Sequence, residues 1–164
     1  MSVMKLTRYW ALGLLPLLCC TCSYAAGLLK LSRAELTLAP DKPASELWVE
    51  NIGDGPLYLD ITQHLVMNPG QSPEQLVPVG EVQGPTLLVL PGRLVLSPGQ
   101  KYRMALNELA TPNHTQVWRV TFRPREYIVV DSDQERAATA PLFVSVGYGV
   151  VIYQLHGSGY NDLR

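Results

Sequence analysis

The sequence predicts an all-β sandwich on three observations. Apolar and polar residues alternate at period two through most of the chain. Turns rich in Gly and Pro interrupt that alternation at short intervals, and no window holds a helical period long enough to compete. The 164 residues include 13 glycines and 13 prolines, enough to bound many short strands.

Residues 1–25 stand apart from that pattern. Lys5 and Arg8 precede an apolar run from Tyr9 to Leu18, and Ser23-Tyr24-Ala25 closes the segment. This is the tripartite plan of a secretory signal peptide, with cleavage expected after Ala25. The run is short and broken by Pro16, whereas a membrane span needs about 20 apolar residues. No membrane insertion is therefore expected after cleavage. Cys19, Cys20 and Cys22 are the three cysteines, and none follows the Leu-small-small triplet of a lipid anchor. The exported chain thus holds no cysteine and relies on its apolar core, in a compartment that permits disulfides.

Without Lys5 and Arg8, 11 basic residues stand against 14 acidic ones, a net charge of −3. No basic cluster points to nucleic acid or to an anionic membrane surface. The remaining length suits one domain, placed at residues 26–155, with 156–164 as a short tail.

The strands follow in order. Residues 28–38, "LLKLSRAELTL", run up to the turn "APDKPAS". Residues 46–52 carry Leu47 and Val49 before "GDGP". In "LYLDITQHLV", residues 57–66, Leu57, Leu59 and Ile61 face the core if Tyr58, Asp60 and Thr62 face water. After "MNPGQSPEQ" and "VGEVQGP" comes a strand at 86–90. The turn "SPGQ" leads to residues 101–107, where Tyr102, Met104 and Leu106 alternate with Lys101, Arg103 and Ala105. "QVWRVTF", residues 116–122, alternates again. The polar stretch "DSDQERAATA", residues 131–140, is the one long loop. It precedes a nearly uncharged run from Pro141, "PLFVSVGYGVVIYQLHG".

Catalytic chemistry is hard to find in this pattern. His64, His114 and His156 have no partner at metal-ligand spacing, and no Gly-rich loop opens a helix. Asp131 and Asp133 read as solvated loop carboxylates. Asn113-His114-Thr115 is a glycosylation sequon that matters only in a eukaryotic secretory pathway. The sequence reads as a non-enzyme that takes no cofactor and no metal.

The order of "SRAELTLAP", "LWVENIGDGPLYLDI", "LLVLPGRLVLSPGQKYRMAL", "VWRVTFRP" and "VGYGVVIYQ" resembles the N-terminal domain of PapD-like periplasmic pilus chaperones. The absent cysteines and the "GYG" look more like the alternate or archaic branches of that family. The resemblance implies an immunoglobulin-like sandwich of about seven strands. It also implies residence in the periplasm, pilus or fimbrial subunits as partners, and an outer-membrane usher as a further one. Subunits would be bound by donor-strand complementation, in which a strand is lent to an incomplete sandwich.

On that resemblance the donor residues are Leu142, Val144 and Val146, alternate positions of a last strand expected over 142–153. An apolar strand left at a sheet edge is an aggregation hazard unless a partner pairs with it. Period-two apolarity alone fits an ordinary core strand equally well, because it does not say whose core is filled. The resemblance also makes Arg33, in the first strand, the anchor for a subunit's C-terminal carboxylate, a role that suits a guanidinium. The family's second cation, a lysine of the last strand, is missing here, where Val150 stands. The tail after Tyr153 reads as a truncated linker with the family's second domain absent. The competing reading is a structural or adhesive sandwich of the cell surface or pilus, or an inactive truncated chaperone.

Overall fold

The structure is a computed structural model that describes residues 26–43, 45–125 and 146–157. The expected signal peptide, the loop at 131–140 and the donor positions Leu142 and Val144 lie outside the described residues. The described residues form eleven strands: β1 (Leu29–Leu31), β2 (Glu35–Leu38), β3 (Trp48–Asn51), β4 (Leu57–Val66), β5 (Leu76–Pro78), β6 (Leu87–Leu90), β7 (Arg93–Leu96), β8 (Lys101–Arg103), β9 (Ala105–Glu108), β10 (Gln116–Arg125) and β11 (Tyr148–Gln154). The one helical element among the described residues is a 3₁₀ turn at Val79–Glu81.

The strands form two facing layers of an immunoglobulin-like sandwich. One layer runs β2-β11-β10-β4-β5, with β7 also on β4. The other is built from β1-β3-β8 and β6-β9. Only Met104 separates β8 from β9, and its N–H donates to the Leu47 carbonyl at 2.9 Å, so the two pieces continue one layer. Leu36, Val49, Leu57, Leu59, Leu87, Leu96, Trp118, Val120, Phe122, Val150 and Ile152 fill the space between the layers. In β4, Leu57, Leu59 and Ile61 are buried while Tyr58 and Thr62 are exposed, as the alternation predicts.

The first strand departs from the expected single run over 28–38. It breaks at residues 32–34. β1 pairs antiparallel with β3 in one layer, and β2 pairs parallel with β11 in the other. The break is held on both sides. Ser32 N–H donates to the Trp48 carbonyl at 3.0 Å, and Val151 N–H donates to the Ala34 carbonyl at 2.9 Å. Arg33 stands between these two bonds, where the chain passes from one sheet to the other.

The motif "NIGDGPL" has a physical reason in Asn51. This side chain is fully buried, and its Oδ1 accepts the N–H of Leu28 at 3.1 Å and of Gly53 at 3.0 Å. Its Nδ2 donates to the carbonyls of Gly55 at 2.8 Å and Leu96 at 3.0 Å. One amide therefore ties the start of the first strand, the tight turn and the end of β7. Gly53 is required there for space, because a Cβ would lie 2.2 Å from the Ala26 carbonyl oxygen. Gln63 plays a similar part between the layers: its Nε2 donates to the Leu87 carbonyl and its Oε1 accepts Val89 N–H, at 3.0 and 2.9 Å. A buried polar side chain of this kind is stabilising only because its hydrogen bonds are made.

Candidate functional site: the last strand

β11 has two unlike halves. From Val151 to Gln154 it lies inside its sheet, with β10 on one side and β2 on the other. Tyr148, Gly149 and Val150 pair with β10 alone among the described residues. Val151 and Leu155 both donate their N–H groups toward β2, to Ala34 and Leu38, at 2.9 Å each. Backbone groups alternate sides along a strand, so the N–H and C=O of Gly149 point to the open edge. Among the described residues the sheet therefore has an open edge beside Gly149 that begins where the first strand turns away at Arg33.

The side chains change along the same course. Gln154, Ile152 and Val150 are alternate residues and are all fully buried. Tyr148 continues the same face and is 39 % exposed, and Val146, two residues before it, is 60 % exposed. Its C-terminal end is fixed by Gln154, whose Oε1 accepts Trp118 Nε1–H at 3.3 Å and whose Nε2 donates to the Ala110 carbonyl at 3.2 Å. One end of the strand belongs to the domain's own core. The other carries apolar side chains out of it beside backbone that no described residue pairs on the β2 side.

The structure thus divides the strand expected over 142–153. Val150 and Ile152 are ordinary core residues. Val146 is an exposed apolar side chain that precedes the regular strand, and Leu142 and Val144 lie outside the described residues. Tyr148 was not singled out in the sequence, although its place in the alternation with Val146 and Val150 was a signal for it.

Arg33 is exposed and stands in the break between β1 and β2 rather than within a strand. It takes part in none of the ion pairs among the described residues. Nearby on the outer face of the smaller sheet is a charged group that the sequence did not bring together. Arg103 Nη1 donates to Glu46 Oε1 at 2.8 Å, Trp48 Nε1 donates to Glu46 Oε2 at 3.0 Å, and Lys101 Nζ lies 5.1 Å from the centre of the Trp48 ring. The Glu46 carboxyl is held below its ordinary pKa, first by the Trp48 hydrogen bond, then by the Arg103 bond and charge, with the Arg33 charge adding to them. Trp48 of β3 pairs with Arg103 of β8, with Glu46 two residues before Trp48 and Lys101 two before Arg103, a register no single-strand pattern reveals. Val150, the position of the family's missing lysine, is wholly in the core and supplies no charge to this side.

Neither a scan against protein-family models nor a search of curated proteins finds a match. Solved structures do match. The chain is similar to the class 5 fimbrial chaperone CfaA, with 20 % identity and a TM-score of 0.62 over 79 % of this chain and 57 % of that one. A chain of a chaperone–tip adhesin complex of CFA/I fimbriae biogenesis gives 19 % identity and a TM-score of 0.64, covering 79 % and 56 %. A chain of the CsuC–CsuE chaperone–tip adhesion subunit complex of Acinetobacter baumannii gives 12 % and 0.59, covering 82 % and 59 %. At these identities the likeness is one of fold: the described residues form an immunoglobulin-like sandwich like that of those chaperone chains. The chain spans a little over half the length of these chains.

Proposed function

We propose that this chain is a periplasmic assembly chaperone that stabilises pilus subunits by lending them its last strand. The observation that carries the reading is the half-paired β11, with an open edge beside Gly149 and a core-side stripe that emerges into solvent at Tyr148 and Val146. A subunit lacking one strand presents the complementary feature, a sheet edge beside an apolar groove. Strand addition would satisfy the open backbone of both partners and bury the exposed side chains. Leu142 and Val144 would extend the stripe upstream, and the lent strand needs neither a cofactor nor covalent chemistry.

Arg33 would anchor a carboxylate of the bound subunit. Its place supports this, since it stands where β2 stops covering β11 and where an added strand would end. Its guanidinium is exposed, and a charge-assisted, two-pronged bond to a carboxylate is within its chemistry. Residues 1–25 would direct the chain to the periplasm and be removed there.

Co-expression with the fimbrial subunits encoded beside its gene tests the proposal. A soluble one-to-one complex that is lost on changing Val146 and Tyr148 is the expected result. A chain that leaves every such subunit aggregated or degraded would overturn it.

A further inference from the structure

The outer face of the larger sheet carries three arginines about one carboxylate. Arg93 Nε lies 3.4 Å from Asp60 Oδ1, and Arg125 Nε donates to Asp60 Oδ2. Arg123 is exposed and joins none of the ion pairs among the described residues. These four side chains, with Thr62 and Thr121, line a cavity of about 300 Å³. One aspartate satisfies two of the guanidinium groups, so the cavity keeps a surplus of positive charge on an otherwise acidic chain.

The cavity lies beside the open half of β11. Thr121 of β10 pairs with Gly149. The register ends at Phe122 and Tyr148, and one more step of it would set Arg123 opposite Gly147. Gly149 in β11 and Gly147 just before it thus fall on the outer face, on the side of Thr121 and Arg123, and place no side chains there. A Cβ at Gly147 would sit 3.0 Å from Thr121 Cγ2, whereas one at Gly149 would meet nothing within 4 Å. The "GYG" of the sequence therefore has two faces. Tyr148 continues the core-side stripe, and the two glycines leave a bare floor between the open edge and Arg123.

We infer that this floor and the arginine cavity receive an acidic side chain, Asp or Glu, from the strand that pairs with β11. The inference rests on the strand-lending reading above and specifies the chemistry of the partner. Strands lie about 4.8 Å apart, so an added strand and β10 are separated by about 10 Å. A glutamate reaching across the glycines and an arginine reaching back span that gap. The arginine fork prefers a carboxylate, and Thr62 and Thr121 add hydroxyl donors. Partner strands with a lysine at this place would meet like charge and be disfavoured.

The test uses the mature chain and a co-expressed fimbrial subunit, with the rate of subunit loss as the readout. R123E is expected to speed dissociation about tenfold at low salt, with a smaller effect at high salt, and to leave the melting temperature of the free chain unchanged. G149T should weaken capture similarly by filling the floor while leaving the backbone edge intact. Changing each Asp and Glu of the subunit's pairing strand to Lys, one at a time, should yield one variant that restores binding to R123E. Unchanged capture by R123E and G149T, while V146S abolishes it, would overturn this inference and leave the strand-lending reading standing. Capture indifferent to V146S as well would sink that reading first. Competition by millimolar inorganic phosphate with no rescuing subunit variant would make the cavity a free-anion site and overturn the assignment to a strand carboxylate.

Discussion

Tyr148 and Val150 are alternate residues of one strand and share its core-side face, yet Val150 is fully buried and Tyr148 is 39 % exposed. Between them the apolar stripe leaves the domain's own core. β2 covers the strand's other edge from Val151 onward, so backbone pairing and side-chain burial both stop within the same few residues.

The stripe should therefore divide by mutation. Val146→Ser with Tyr148→Ser is expected to leave the melting temperature of the free chain within a few degrees of wild type while abolishing subunit capture. Val150→Ser should do the reverse. Full burial of a valine contributes roughly 1.5–3 kcal/mol, and placing a hydroxyl in the core adds to that loss. Thermal unfolding monitored by circular dichroism, beside a subunit pull-down, separates the two. Equal destabilisation by both changes would place Val146 and Tyr148 in the home core.

Arg33→Ala should weaken capture more than folding. A desolvated charge pair costs on the order of 2–5 kcal/mol when one partner is removed, and much less if it stays wet. Parallel loss of binding and thermal stability would make Arg33 a structural residue.

Glu46 reports on the same neighbourhood through pH. Its pKa is lowered in the folded chain, so whatever it contributes to stability is present above its unfolded pKa and is lost as pH falls through the folded one. Trp48→Phe and Arg103→Gln should each raise the carboxyl's midpoint, and Arg33→Gln should raise it least, because Arg33 acts through its charge alone. A carbon-detected NMR titration of the Glu46 carboxyl reads all three. An unmoved midpoint in Arg33→Gln would separate Arg33 from this group.

Asn51→Ala is expected to cost about 2–4 kcal/mol, because it strands four backbone groups around a buried site at once. Urea denaturation measures it, and a loss under 1 kcal/mol would show that water replaces the amide.

Much of this was legible in the sequence. The alternation in "LYLDITQHLV" fixed which side of β4 faces inward, because period two leaves one choice of face once the core is known. Turn residues placed most boundaries. The break at Arg33 was not legible, since "LLKLSRAELTL" keeps its alternation through residues that change sheets, and only pairing with Trp48 and Val151 reveals it. β7 was hidden for a similar reason: "RLVL" follows "LLVL" after two turn residues, and its pairing is with the distant Leu57, Tyr58, Leu59 and Asp60. The cluster around Glu46 and the cavity around Asp60 both depend on register between strands far apart in sequence. An exposed valine and a buried one look alike as letters, so the emergence of the stripe at Tyr148 required the fold.

Amide hydrogen exchange at Gly149 tests the central claim most directly. Its N–H points to the open edge, whereas that of Val150 points toward β10. In the free chain Gly149 should exchange fast and Val150 slowly. In the subunit complex Gly149 should become protected to the level of Val150, because a partner strand now accepts its hydrogen bond. A complex that forms with Gly149 still exchanging as fast as in the free chain would show that the subunit is held elsewhere, and that β11 is not lent.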